Sequence, residues 1–180
     1  MPNIPKGWKE CSKHGNKIDD TPFMAFKIPI IGTKWDLDKL TSTIPNLNMM
    51  ISLQTDKEGH FYKQEDVERL HGVKYIFCPR VWSGKIPSDE SVTKFFNEVD
   101  DMLEKNSNAL IGVHCVHGVN RTGYMICRYL IEKKGWDALK AMEAFEKARG
   151  EKMKTSGKYF KIIQDLKNRK SLSAKIESKE

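Results

Sequence analysis

The sequence predicts an α/β domain with a central, mostly parallel sheet flanked by helices. Two observations carry that expectation. Short apolar runs alternate with amphipathic segments of helical period, and one buried run passes through a glycine-containing loop directly into an apolar helix. At 180 residues the chain is long enough for one well-buried core and too short for two comfortable domains. Hydrophobic residues make up 39% and charged residues 31%, a balance that excludes disordered and collagen-like classes.

The elements follow in order. NMMISL (48–53) is a short apolar run. VKYIFC (73–78) alternates Val73, Tyr75 and Phe77 and stops at Pro79, as a strand does. Ser88 or Asp89 can cap a helix in which Val92, Phe95, Phe96, Val99, Met102 and Leu103 form one stripe, and that stripe is core. ALIGV (109–113) suits a strand buried on both faces. TGYMICRYLI (122–131) is apolar nearly all round, which fits a central buried helix. Amphipathic helices follow over 138–148 and through Tyr159, Ile162, Ile163 and Leu166. Strand, crossover helix, strand, helix makes a right-handed unit. Ligands of such sheets bind beyond the carboxyl ends of the strands, where the segment after Val113 lies. Residues 1–168 are expected to form the single domain. The basic stretch 169–180, with little to bury, reads as a frayed tail.

The apolar stretch near the N-terminus is broken by Lys27, Pro29 and Gly32, so neither a signal peptide nor a membrane span is expected, and no membrane partner. Four cysteines in such a chain point to reduced thiols and an intracellular protein of nucleus and/or cytoplasm. The net charge of +7 is unevenly placed: residues 1–146 hold 20 Lys+Arg against 20 Asp+Glu, and residues 147–180 hold 11 against 4. A basic end can hold phosphates by counterion release; it can equally be a solvated face.

The chemistry sits in HCVHGVNRTG (114–123). A thiol has a free pKa of about 8.5, which a helix N-terminus and cationic neighbours lower; Cys115 stands just before such a helix. The backbone N–H groups of Val116, His117, Gly118, Val119, Asn120 and Arg121 can converge on phosphoryl oxygens. Gly118 and Asn120 tolerate the positive-φ turns that this wrapping needs. Arg121 supplies a planar fork that binds two phosphate oxygens, which lysine cannot do. Thr122 can donate its hydroxyl to the thiolate and help it leave a phosphocysteine. Cys115, Arg121 and Thr122 are therefore the expected catalytic groups. His114 is expected to orient the loop from beneath, and His117 to face the substrate. His114, Cys115 and His117 have no second Cys/His pair at zinc spacing, so neither metal nor other cofactor is expected.

The loop HCVHGVNRTGY resembles the metal-independent RNA 5′-triphosphatase branch of the cysteine-phosphatase superfamily, which includes baculovirus RNA 5′-phosphatase, the triphosphatase domain of animal mRNA capping enzymes and RNA-acting dual-specificity phosphatases. Pro5, Trp8, Gly15, Phe23 and FKIP (26–29), with YMICRYL (124–130) and FEKARG (145–150), extend the likeness over most of the chain. The resemblance implies a dual-specificity-like cysteine-phosphatase fold and RNA 5′ tri- or diphosphate ends as substrate. In the family a strand ends on an acidic residue before an arginine-containing turn. Here SLQTDKEGHFY (52–62) has Ser52 for the acid, His60 near the arginine's place and a longer turn.

Protein phosphatases of the superfamily carry an aspartic general acid on a loop before the cysteine, and the matching RVWSGKIPS (80–88) has no carboxylate. Asp89 and Glu90 follow but suit the first turn of a helix. An ester leaving group needs a proton more than a diphosphate does, so the missing acid favours a phosphoanhydride. Arg80, Lys85 and Lys154 are expected at the substrate rim, with Lys152 and Lys158 beside Lys154. Two alternatives stay open: a dual-specificity phosphatase acting on a phosphoprotein, and a catalytically silent phosphate-binding module, against which intact Cys115, Arg121 and Thr122 count.

Overall fold

The continuous apolar run before Cys115 becomes the middle strand of a five-stranded sheet, buried at every position from Leu110 to His114. The computed structural model describes residues 2–179. In chain order the elements are β1 (His14–Lys17), β2 (Phe23–Phe26), α1 (Leu37–Thr43), β3 (Leu47–Ser52), α2 (Gln64–His71), β4 (Lys74–Phe77), α3 (Asp89–Lys105), β5 (Leu110–His114), α4 (Asn120–Lys134), α5 (Ala138–Arg149), α6 (Phe160–Lys167) and α7 (Leu172–Glu177). Single 3-10 turns occupy Asp56–Glu58 and Gly157–Tyr159. The strand order is β1-β2-β5-β3-β4, parallel throughout except for the β1–β2 edge pair. Ala25 and Ile51 both pair with Val113, and Ser52 pairs with His114.

The strand period of two divides the core into two layers. Phe23, Ala25, Met49, Ile51, Ile111 and Val113 face α3 to α6, meeting Phe95, Met125, Phe145 and Ile163. Met24, Phe26, Met50 and Leu110 face the opposite way, toward Leu40 of α1, Val67 of α2, and Trp8 and Trp35. The second layer fastens the N-terminal segment to the sheet. Lys27 is buried over the Trp8 ring at 3.8 Å and donates to the carbonyls of Trp8 (2.7 Å) and Cys11 (2.8 Å). Trp8 donates to Ile28 and Trp35 to Lys27, each at 2.9 Å.

Ser88 caps α3 by accepting from the Ser91 N–H, which leaves Asp89 as the first helical residue. The two amino-terminal strands and helices α1 and α2 add to the elements expected from periodicity. The stretch expected to fray instead forms α7, capped by Ser171. Its Lys175 reaches Glu132 of α4 at 2.8 Å, and Arg169 pairs with Asp165 of α6. The reason is a buried carboxylate: Glu132 also holds the buried Arg128 at 2.9 Å.

Removing one partner of a buried ion pair strands the other charge, typically at a cost of about 3–5 kcal/mol. Glu132→Ala should therefore lower the unfolding free energy by about 3 kcal/mol in a urea titration. Lys175→Ala, whose side chain is only half-buried, should cost less, about 1 kcal/mol.

Candidate active site

Cys115 follows the last residue of β5 and is 3% exposed. The chain then turns through Val116–Val119 into α4, whose amino end is aimed back at the loop. Gly118 has φ 69°, and a Cβ there would penetrate the Phe26 carbonyl, so only glycine lets the loop lie against β2.

The thiol environment contains opposing influences. Burial is the largest and pushes the Cys115 pKa up. The charge of Arg121, the Thr122 hydroxyl and the N–H groups of Thr122 and Gly118 act the other way, and the net shift is downward. The Thr122 hydroxyl is fully buried and has no well-aligned hydrogen-bond partner among the described residues. Its availability is what lets it stabilise a thiolate.

The loop is held by four sets of contacts. His114 lies beneath it, with Nδ1 2.8 Å from the Cys115 carbonyl and Nε2 2.8 Å from the Tyr62 hydroxyl. Since a carbonyl only accepts, Nδ1 carries the proton and Nε2 accepts from Tyr62. Burial, the largest cause, lowers the His114 pKa to about 4, so the ring is neutral near pH 7. Arg149 of α5 is buried and donates to the carbonyls of Gly118 (2.9 Å), His117 (3.0 Å) and Ser12 (2.9 Å). Asn120 exchanges two hydrogen bonds with the backbone of Lys154, at 2.9 and 3.0 Å. Val116 accepts from the Ile28 N–H at 3.0 Å.

A cleft of about 530 Å³ opens above the loop. It is lined by Cys115, His117, Val119, Asn120 and Arg121 from the loop, and by Lys6, Lys152, Lys154, Lys158 and Tyr159 around the mouth. The expected rim residues separate here. Lys154 lines the cleft and Lys85 an adjoining groove shared with Asn120, Arg121 and Tyr159. Arg80 does not line either: it turns to Glu90, 3.3 Å away at the exposed start of α3. His117 lines the cleft, but its Nε2 is hydrogen-bonded to the Lys6 carbonyl at 2.8 Å. Asp89 is exposed and outside the cleft. The carboxylate at the mouth, Glu151, is engaged by the Ser12 N–H at 3.0 Å.

Three participants escaped sequence reasoning. Glu58 grips Arg121 with both oxygens, at 2.7 and 2.9 Å; the only local signal at Glu58 is a capping-box pattern with Thr55, which says nothing of Arg121. Tyr62 carries no local signal. Arg149 does, because it falls in phase with Ala138, Ala141, Met142 and Phe145 on the core side of α5.

A parallel sheet whose central strand delivers a stabilised thiol and an arginine to one loop defines a cysteine-dependent phosphatase domain. The chain belongs to the dual specificity phosphatase family, whose catalytic-domain profile matches residues 31–169. The Homo sapiens RNA/RNP complex-1-interacting phosphatase is 33% identical over 181 residues, covering 92% of this chain and 52% of that protein. The Danio rerio mRNA-capping enzyme is 32% identical over 158 residues, 81% of this chain and 26% of the enzyme. The chain thus spans about half the length of the first of these relatives and about a quarter of the second. Both fit the branch that the loop resembles. The crystal structure of Tk-PTP in the active form agrees in fold, with a TM-score of 0.64 at 17% identity, covering 83% of this chain and 94% of that one. No helix among the described residues is long and apolar enough to cross a membrane.

If Thr122 stabilises the thiolate, Thr122→Val should slow iodoacetamide alkylation of Cys115 at pH 6 by about tenfold, the worth of one charge-assisted hydrogen bond. The difference should shrink as pH rises, because the thiolate fraction then grows toward one in both proteins. Rates compared by mass spectrometry across pH check this.

Proposed function

We propose that this chain removes phosphate from RNA 5′ tri- or diphosphate ends through a phosphocysteine on Cys115. The observation that carries the proposal is a thiolate-stabilising loop at the floor of a cleft ringed by lysines, facing a loop that bears no carboxylate. In the proposed reaction the Cys115 sulfur attacks the terminal phosphorus in line, and the bond to the bridging oxygen breaks. The leaving di- or monophosphate takes that electron pair without needing a proton from the protein. Loop N–H groups and Arg121 stabilise the equatorial oxygens. Water then hydrolyses the phosphocysteine, and the Thr122 hydroxyl stabilises the departing thiolate. No metal enters this scheme. The RNA-related names of the two relatives support RNA as the polyanion.

Family membership favours a second reading, a dual-specificity phosphatase acting on phosphoproteins. Substrate competition separates the two. Phosphate release from γ- and β-labelled triphosphorylated RNA should exceed that from a phosphotyrosine peptide in kcat/KM, since the ester lacks the general-acid help typically worth about 10²–10⁴-fold. Turnover should survive EDTA, disappear in Cys115→Ser and fall by about 10²-fold or more in Arg121→Lys. A better phosphopeptide rate that collapses in Asp89→Asn would establish the second reading instead.

The lysines give an independent check. Neutralising Lys152, Lys154 or Lys158 should weaken RNA turnover more than that of p-nitrophenyl phosphate. Each should flatten the salt dependence of RNA affinity by close to one phosphate contact, or about 0.7 in slope for a single strand.

A further inference from the structure

Arg121 is 10% exposed at its side chain, and its guanidinium has two edges that can each hold an oxyanion. One is already taken. Nη2 donates to Glu58 Oε1 at 2.7 Å and Nη1 to Glu58 Oε2 at 2.9 Å, with Nη1 also near the carbonyls of Val81 (3.3 Å) and Leu53 (3.4 Å). Nε has no protein partner among the described residues. Glu58 is not among the residues that line the cleft. The carboxylate is itself fixed, because Oε2 accepts from the Thr55 N–H at 2.7 Å across the turn Asp56–Glu58.

We infer that Glu58 is the positioning residue for Arg121, holding its Nη1–Nη2 end so that the Nε–Nη2 edge is presented to the phosphate. This rests on the reading of Arg121 as the phosphate ligand. The longer turn of SLQTDKEGHFY has a use on this view: it brings a carboxylate to the arginine in a chain with Ser52 at the end of β3. Val81 accepts from the same guanidinium, and Lys57 lies 5.5 Å over the Trp82 ring. The turn therefore also ties the facing loop to Arg121. Glu58 is not a proton donor here. Although burial is the largest influence and raises its pKa, the hydrogen bonds and charge of Arg121 and the Thr55 N–H outweigh it and keep the carboxyl ionised.

The test is Glu58→Gln, which keeps the size but offers one acceptor in place of two. Misplacing a group by about 1 Å can cost about 10²-fold in rate. We expect kcat/KM to fall by about that factor equally on triphosphorylated RNA and on p-nitrophenyl phosphate, and inhibition by inorganic phosphate to weaken. In an Arg121→Lys background the same substitution should add little, because the two residues act as one unit. Glu58→Asp, which keeps the charge but is too short to span both nitrogens, should show the same pattern more mildly and serves if Glu58→Gln is unstable. Wild-type rates, multiplicative losses in the double variant, or a loss that grows with leaving-group pKa would each overturn the assignment. The small ester reads Glu58 even if RNA is not the substrate, so failure of the RNA proposal would be seen separately.

Discussion

A negative charge on sulfur has to be tolerated at a position, Cys115, only 3% exposed, and the loop and the elements around it are arranged for that need. Burial on its own drives a thiol toward the neutral form. Cys78 shows it, pushed up to about 12, and the buried Cys127 is raised as well. Cys115 is equally enclosed, yet its pKa is lowered. The difference lies in the loop that follows it. An arginine, a hydroxyl and backbone N–H groups meet at one sulfur, and no such group converges on the other two.

Convergence of amides is costly unless the carbonyls have somewhere to go. Here they are pinned outward. Arg149 takes the carbonyls of His117 and Gly118, His114 takes that of Cys115, and the Ile28 N–H takes that of Val116. Each anchor comes from a different element: α5, β5 and the segment after β2. The loop is thus held in shape by the sheet and by α5 before any ligand arrives, which is the condition for electrostatic stabilisation without reorganisation. The neutral state of His114 belongs to the same logic. A charged ring beneath the loop would oppose Arg121, whereas the neutral tautomer supplies one donor and one acceptor to the two groups that need them.

Much of this was legible in the sequence where periodicity or local chemistry is strong. Helices α3 to α6 follow stripes that the structure buries, such as Val92, Phe95, Phe96 and Val99, and the segment after Val113 was located from the run of apolar residues before it. What escaped depends on distant partners. β1 reads HGNK and β2 only FMAF, too short to show a period; pairing and the buried Lys27 hold them in place. Glu58 is 63 residues from Arg121, and Tyr62 is 52 from His114; no local pattern encodes either meeting. Arg80 was misplaced for the converse reason. Its positive charge suggests the rim, but the side chain pairs with the exposed Glu90, 3.3 Å away.

The basic end of the chain, ambiguous as composition, divides into two populations once partners are known. Arg149, Arg169 and Lys175 are consumed internally, by loop carbonyls, by Asp165 and by Glu132. Lys152, Lys154 and Lys158 remain exposed beside the cleft. Internal pairing thus accounts for part of the charge excess, and phosphate holding by the three cleft lysines belongs to the proposed function. The division also bears on substrate choice. Inside the loop, Arg121 is balanced by Glu58, so the deep site carries little uncompensated charge before the thiolate forms. The outer lysines are what an approaching polyanion meets first, and within a Debye length of about 8 Å at physiological salt they act together. A single phosphate seated at Cys115 uses the loop alone. On the proposed reading, further phosphates on the same end would extend toward these lysines, and that is the physical basis of the proposed preference for a polyphosphorylated terminus over a lone ester.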